Sequence, residues 1–329
     1  MNKNGIVLKK TNKRDAVSFL LFVFLLPYIC ACLWGHVGEE KERLRAENTT
    51  QGQQDGHIVE ADLEWGLWEL PLEEYLVYRL FLVMPGDYET ETLKAQAVLL
   101  RTELAAQYQE EGERIRVAGD GLAAFYAEKE GAEAEAFSKS SQAVEETAGM
   151  ILTYQGEPIR ASYFSVSNGC TRAASEEECP YFTTVSCEQD KTSPDYHSVV
   201  EVEKEAYIEA LAGVVGEDCG HDELWENRDF SYDDAGYMTS VSYFTEEQEE
   251  KRLDGETFRH LFGLASASFT AAWEEDRVLF SVTGVGHGYG LSQYGANCKA
   301  KEGETYEEIL AEFFFQTELA IINVGGNHL

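Results

Sequence analysis

The residues best suited to chemistry lie together near the C-terminal end. From Gly284 to Ala296 the chain reads Gly-Val-Gly-His-Gly-Tyr-Gly-Leu-Ser-Gln-Tyr-Gly-Ala. Glycines at 284, 286, 288 and 290 alternate with other residues, and His287 stands among them. Glycine lacks a Cβ and lets a ligand approach the main chain. Alternate glycines also weaken a strand, so they are costly as mere structure. Two readings fit. In one, the segment cradles a ligand and His287 faces it as a base or hydrogen-bonding group. In the other, a glycine-rich turn feeds a helix and His287 is a structural partner. Cys298 adds a thiol nearby, but its spacing from His287 does not identify a nucleophile–base pair. Cys170, Cys179, Cys187 and His197 are metal-ligand types spread far wider than a CxxC pattern. Separate thiols are expected there, with no metal and no cofactor.

The partners of such a site are bounded by charge. The chain of 329 residues carries 26 Lys and Arg against 60 Asp and Glu, a formal charge of −34. That surface repels nucleic acid, whose phosphates require basic patches, so no nucleic-acid partner is expected. It also argues against electrostatic capture of anionic polymers. A neutral or mixed-charge ligand such as a sugar chain remains compatible. Seven cysteines are present, and the five beyond the N-terminal region are an odd number that cannot all pair within one chain.

The basic residues are concentrated at the start. Lys3, Lys9, Lys10, Lys13 and Arg14 precede an uncharged, mostly apolar run, Ala16–Trp34. About 20 such residues cross a bilayer as a helix, and the positive flank favours the N-terminus inside. An uncleaved anchor is expected, because no A-x-A-like site follows the run. A cleaved signal peptide is the alternative, and Ile29-Cys30-Ala31-Cys32 weakly resembles a lipidation box. The expected organisation is a cytoplasmic tail over 1–15, a transmembrane anchor over 16–34, a polar linker over 35–57 and one extracytoplasmic α+β domain over 58–325. The protein is then a single-pass protein of the cell membrane.

Within that domain the elements that must position the motif are partly legible. Ile58 to Trp68 reads as a strand. Pro71 opens a helix bearing Leu72, Tyr75, Leu76, Leu80 and Val83 at helical spacing, and Met84-Pro85-Gly86 stops it. A second helix runs from about Thr92 to Glu111, with Leu93, Ala97, Leu100 and Leu104 as its apolar face. Lys94 and Arg101 share one stripe of it. Ser141 to Glu145 open a further helix. Met150–Tyr154 and Ala161–Val166 read as strands joined through a turn at Gln155-Gly156-Glu157-Pro158, and Thr239–Phe244 and Arg277–Val282 as two more. Thr257–Leu264 is helical. Thr305 and Glu308 form a capping box that starts a helix at Tyr306.

Four segments, in order, resemble the stage II sporulation protein D family, whose members include amidase-enhancer proteins acting on bacterial peptidoglycan. Leu70-Pro71-Leu72-Glu73-Glu74-Tyr75, Met84-Pro85 and Leu93-Lys94-Ala95-Gln96-Ala97-Val98 with Arg101-Thr102 resemble the family's PLEEY…EMP…ALKAQAVAART. Ala143–Tyr154 resembles AVEETRGLVLTY. Tyr163–Gly169 resembles the YFSTSGG loop, with Pro180-Tyr181 after it. The glycine segment resembles GRGWGHGVGMSQYGA. The family's Asp-x-x-His-Cys-type segment is not recognisable at Gly119-Asp120-Gly121-Leu122. The resemblance implies binding or remodelling of peptidoglycan glycan strands in spore engulfment. The implied partners are those strands and other membrane-bound engulfment proteins, including a wall amidase. It implies substrate-binding roles for Gln96, Arg101, Ser167, Asn168, Gly169, His287, Gly288, Ser292, Gln293 and Tyr294, of which Gln293 and Tyr294 suit sugar hydroxyls and a sugar face.

One position departs. The family's catalytic glutamate stands immediately before Met-Pro, and here that position is Val83. Members with the glutamate are similar to lytic transglycosylases, which need a carboxylic acid to protonate the glycosidic oxygen. A general acid supplies roughly 10²–10⁴-fold, and valine supplies none of it. The implied state is weakened or lost catalysis with the groove retained. The alternative is an active lytic transglycosylase with a relocated acid, Asp87, beyond the Pro-Gly bend.

Overall fold

The computed structural model describes residues 58–322, apart from 64–65, 112–113, 120–121, 123–128, 175–176, 178, 217–219, 227 and 246–248. The expected tail, anchor and linker lie outside the described residues. Among the described residues no helix is long and apolar enough to cross a membrane. The mixture of helices and small sheets is the α+β class expected.

The first unit is built on a hairpin, β1 (Ile58–Leu63) and β2 (Gly66–Pro71), where a single strand to Trp68 was expected. Gly66, at φ 124, opens β2. Pro71 closes β2 and stands as the cap of helix α1 (Leu72–Val83), one place before its expected position. Leu72, Tyr75, Leu76 and Leu80 turn inward at helical spacing. Pro85 then ends the helix by biasing the preceding residue to the extended region, and Met84 is extended.

Helix α2 (Thr90–Glu111) is the centre of the molecule. The expected face of Leu93, Ala97, Leu100 and Leu104 packs into one core with α1 and the hairpin. Ala95, Val98 and Leu99 pack into another. A helix buried on both sides needs apolar residues nearly all round, and one stripe understated it. Strand β3 (Arg114–Ala118) pairs parallel with β1. Helix α3 (Gly131–Glu146) packs on α1 and α2. The expectation that Ser141–Glu145 open a helix is reversed, because they close it. Gly149 at φ 71 turns the chain into β4 (Met150–Tyr154).

Strand β4 pairs with the two-residue β5 (Glu157–Pro158) across Gln155-Gly156, both with positive φ, the geometry of a tight hairpin turn. On its other side it pairs with β14 (Glu318–Ile321). The expected strand over 161–166 shortens to β6 (Tyr163–Phe164), whose parallel partner is β13 (Leu291–Ser292).

Residues 197–283 form a unit with its own core. Strands β7 (His197–Glu203), β11 (Phe269–Trp273) and β12 (Arg277–Thr283) make one sheet, with β12 central. Strands β8 (Arg228–Tyr232), β9 (Met238–Phe244) and β10 (Glu250–Asp254) make another. Val278, Phe280 and Val282 alternate inward along β12, as period-2 burial requires. They meet Tyr207 of α4 (Lys204–Val215), Leu224 of α5 (His221–Glu226) and Phe258 of α6 (Gly255–Leu261). Helix α6 starts two residues earlier and ends three earlier than expected. The first residue of this unit pairs with its last, His197 with Thr283.

After the glycine segment come α7 (Gln293–Glu302) and α8 (Tyr306–Phe313). Helix α8 starts at the expected capping box, with the Thr305 hydroxyl accepting from Glu308 N–H and the Glu308 carboxylate accepting from Thr305 N–H.

Candidate functional site

The glycine segment does not run free. It is laced to residues 162–172. Val166 and Val285 exchange backbone hydrogen bonds of 3.1 and 2.7 Å. Arg172 N–H donates to the Gly288 carbonyl at 2.8 Å, and Tyr294 N–H to that of Ser165 at 3.0 Å. Two of the four resembling segments are therefore one structural unit. The close approach explains the glycines. Gly284, Gly286, Gly288 and Gly290 all have positive φ, between 78 and 113°. At Gly288, φ is 85° and a Cβ would stand 2.7 Å from the Tyr237 ring and 2.8 Å from Arg172 Cδ. Only glycine avoids both the strain and the clash.

The segment's far end docks on the Met-Pro turn. Gln293 Nε2 donates to the Val83 carbonyl at 3.2 Å, to Gln96 Oε1 at 3.2 Å and to Met84 Sδ at 3.1 Å. Asn297 of α7 accepts from Glu89 N–H at 2.8 Å just before α2. Val83, Gln96 and Gln293, separated by up to 210 residues, are thereby brought together. Val83 itself is half-buried against the first core. Beside it, Tyr88 is half-buried, and its phenol is pushed up to about 12 by burial, reinforced by Asp87, Tyr294 and Asp190. Asp87 is exposed on the Pro-Gly turn. The Tyr294 hydroxyl lies 3.2 Å from that of Thr192.

Beneath this face lies a carboxyl group that sequence reasoning missed. Asp190, in the short 3₁₀ turn Glu188–Thr192, is fully buried. Its Oδ2 accepts from Ser292 Oγ at 2.6 Å and from Ser167 N–H at 2.7 Å. Its Oδ1 has no hydrogen-bond partner. Burial pushes the Asp190 carboxyl above the usual carboxylate range, while the bonds from Ser167 and Ser292 oppose that shift. Ser167 and Ser292, both expected at a ligand, are themselves fully buried and serve this carboxyl. They hold the loop and the start of α7 in place.

The remaining expected residues divide between surface and interior. Asn168 is half-buried and spends its amide on the Ala235 carbonyl at 2.8 Å and Ser268 Oγ at 2.9 Å. Gly169, at φ 122, lies against Lys191. His287 Nδ1 accepts from Tyr289 N–H at 3.1 Å, and its ring stands 5.7 Å from that of Phe164. Burial lowers the His287 pKa and keeps the imidazole neutral. Arg101, expected at the ligand, is placed in the interior with no exposed surface. Its guanidinium is spent on Glu73 at 2.7 and 2.8 Å and on the carbonyls of Met150 and Val144. A second arginine, Arg172, was not anticipated. It is buried between the Tyr289 and Tyr237 rings, 4.4 and 5.1 Å from their centres, and pairs with Asp233 at 2.6 Å.

Among the described residues no cluster of three His, Cys, Asp or Glu is placed to hold a metal ion. Cys179 and Cys187 are separate buried thiols, and burial pushes the Cys187 thiol far up. Val83, Tyr88, Tyr294 and Thr192 keep part of their surface accessible, while Gln96, Gln293, Ser292 and Asp190 are buried.

An α+β protein with a glycine segment laced to a neighbouring loop and docked on a Met-Pro turn is the class this defines. Residues 66–154 match the family model described as Stage II sporulation protein. The chain is 30% identical over 284 residues to Stage II sporulation protein D of Bacillus subtilis (strain 168), an alignment covering 76% of this chain and 75% of that one. It is 30% identical over 271 residues to Stage II sporulation protein D of Bacillus amyloliquefaciens, covering 74% and 73%. The chain belongs to the stage II sporulation protein D family.

Proposed function

We propose that this protein acts on the cell wall in sporulation by binding peptidoglycan glycan strands across the face of Val83, Tyr88 and Tyr294, and that it holds strands better than it cuts them. The observation that carries this reading is the docking of Gln293 on the Val83 carbonyl and the Met84 sulfur. Gln293 gathers the Val83 carbonyl, Met84 and Gln96, and the side chain at position 83 is a valine. An oxocarbenium-forming cleavage has no proton donor at that point. On the same resemblance, the N-terminal run anchors the protein in the cell membrane with its domain outside. Its partners are then a wall amidase and other membrane-bound engulfment proteins.

Val83→Glu tests the reading. The side chain would enter a half-buried position, and burial raises a carboxyl pKa, which keeps an acid protonated near neutral pH. The full-length protein should sediment with purified sacculi and release few anhydro-ended fragments from peptide-free strands. The variant should release more, within the roughly 10²–10⁴-fold that general acid catalysis supplies. Robust wild-type cleavage that Asp87→Asn abolishes would show a relocated acid and overturn the holding role.

A further inference from the structure

Away from that face, a cavity of about 590 Å³ opens where β4 ends and β14 begins. That size lies within the roughly 300–1,000 Å³ of small-ligand sites. Its lining includes the rings of Tyr154, Tyr181 and Phe315, with Pro180, and the amide side chains of Gln155 and Gln316. Tyr154 and Tyr181 stand 5.7 Å apart, and Phe315 is 51% exposed at the rim. The Phe315 backbone is held by its N–H on the Tyr181 carbonyl at 3.0 Å.

The backbone of this cavity is unusual. Gln155 at φ 55 and Gln316 at φ 56 are the non-glycine residues with positive φ among the described residues, and both line it. Glycine occupies that conformation without strain, and glutamine does not. A turn that needed only the bend would be better served by glycine. Strained positions of this kind cluster at ligand sites, where the side chain repays the strain. Gln155 follows β4 and Gln316 precedes β14, so the two lie at the same end of their antiparallel ladder.

The lining defines the ligand. Aromatic faces accept the C–H face of a pyranose ring, and carboxamides both donate to and accept from hydroxyl and acetamido groups. Among the described residues no lysine or arginine lines the cavity, while Glu177 does, so an anionic ligand is disfavoured. We infer that this cavity is a second saccharide subsite, taking neutral N-acetylhexosamine units. The choice of sugar rests on the glycan reading above.

The test is calorimetric titration of the full-length protein with chitotetraose, a neutral N-acetylglucosamine oligomer. Phe315→Ala and Gln316→Gly should each weaken Kd roughly three- to tenfold. Gln316→Gly keeps the left-handed backbone, so its melting temperature should equal or exceed that of the wild type. A fall in affinity there reports the lost amide and not unfolding. Wild-type affinity in both variants would overturn the subsite while leaving the first face intact. A wild type that ignores chitotetraose yet sediments with sacculi would overturn the subsite alone. Failure to bind either would overturn both readings.

Discussion

Asp190 carries the sharpest consequence at the scale of single residues. Its carboxyl is sealed beneath Ser167 and Ser292, with one oxygen unpartnered. Its folded pKa is raised by burial, so the folded state holds this proton more readily than the unfolded chain does. Its contribution to stability is then most favourable below the unfolded carboxylate value near 4 and declines as pH rises through the folded pKa. Asp190→Asn should remove that slope. Urea unfolding of wild type and variant between about pH 4 and pH 7 checks it: the difference in midpoint should drift steadily with pH. A difference that is flat across the range would mean that Asp190 does not titrate differently in the folded state. The residue was illegible in the sequence because an aspartate between Glu188 and Lys191 reads as surface, where charged side chains usually lie. Arg172 was hidden for the same reason. The order of the resembling segments supplied Val83, Gln96, Gln293 and the serines as candidates. That order does not tell which of them touches a ligand and which braces it, because burial is a tertiary property.

Helix α2 is the clearest case at the scale of elements. Its apolar periodicity announced a helix, and its two-sided burial explains why residues off the expected face are apolar too. The arginine two turns from Lys94 shared its stripe on paper. In the fold, Lys94 stays near the surface between Glu91 and Glu146, whereas Arg101 is enclosed. Arg101 ties α2 to Glu73 on α1 and to the Val144 carbonyl near the end of α3. Removing one partner of a buried pair leaves the other desolvated and unpaired, so Arg101→Ala should cost about 3–5 kcal/mol. Thermal unfolding measures the loss, and a cost below about 1 kcal/mol would place Arg101 with ordinary surface pairs. The capping box at Thr305 was readable because its chemistry is local. Strand β13 was not, and β6 was read too long, because two-residue strands exist only through each other. Helix α3 was entered from the wrong end, since its alanine- and glutamate-rich first turns lack a capping side chain to announce them.

On the scale of the whole molecule, residues 197–283 enclose a core that shares no residue with the other two. The turn between β8 and β9 nevertheless reaches the site loop. Asp233 pairs with Arg172, and the Tyr237 hydroxyl accepts from Asn168 N–H at 3.2 Å. A separate core predicts a separate cooperative unit. Hydrogen exchange in graded denaturant should show β9 and β12 opening together, at a free energy different from that of α2. Identical openings at every denaturant concentration would mean one indivisible body.

The point where that unit joins the rest has a further meaning. The chain departs after Tyr196 and comes back at Gly284, whose N–H donates to the Tyr196 carbonyl at 2.7 Å. Both crossings lie within one strand spacing, about 5 Å. A foreign segment whose two ends meet at that spacing would close the chain, but it would forfeit Asp233 on Arg172, Tyr237 against Gly288 and the Ala265 carbonyl that accepts from Gly286 N–H. The neck is narrow, yet the unit beyond it is tied back to the loop it leaves, so it is a brace built as an insertion.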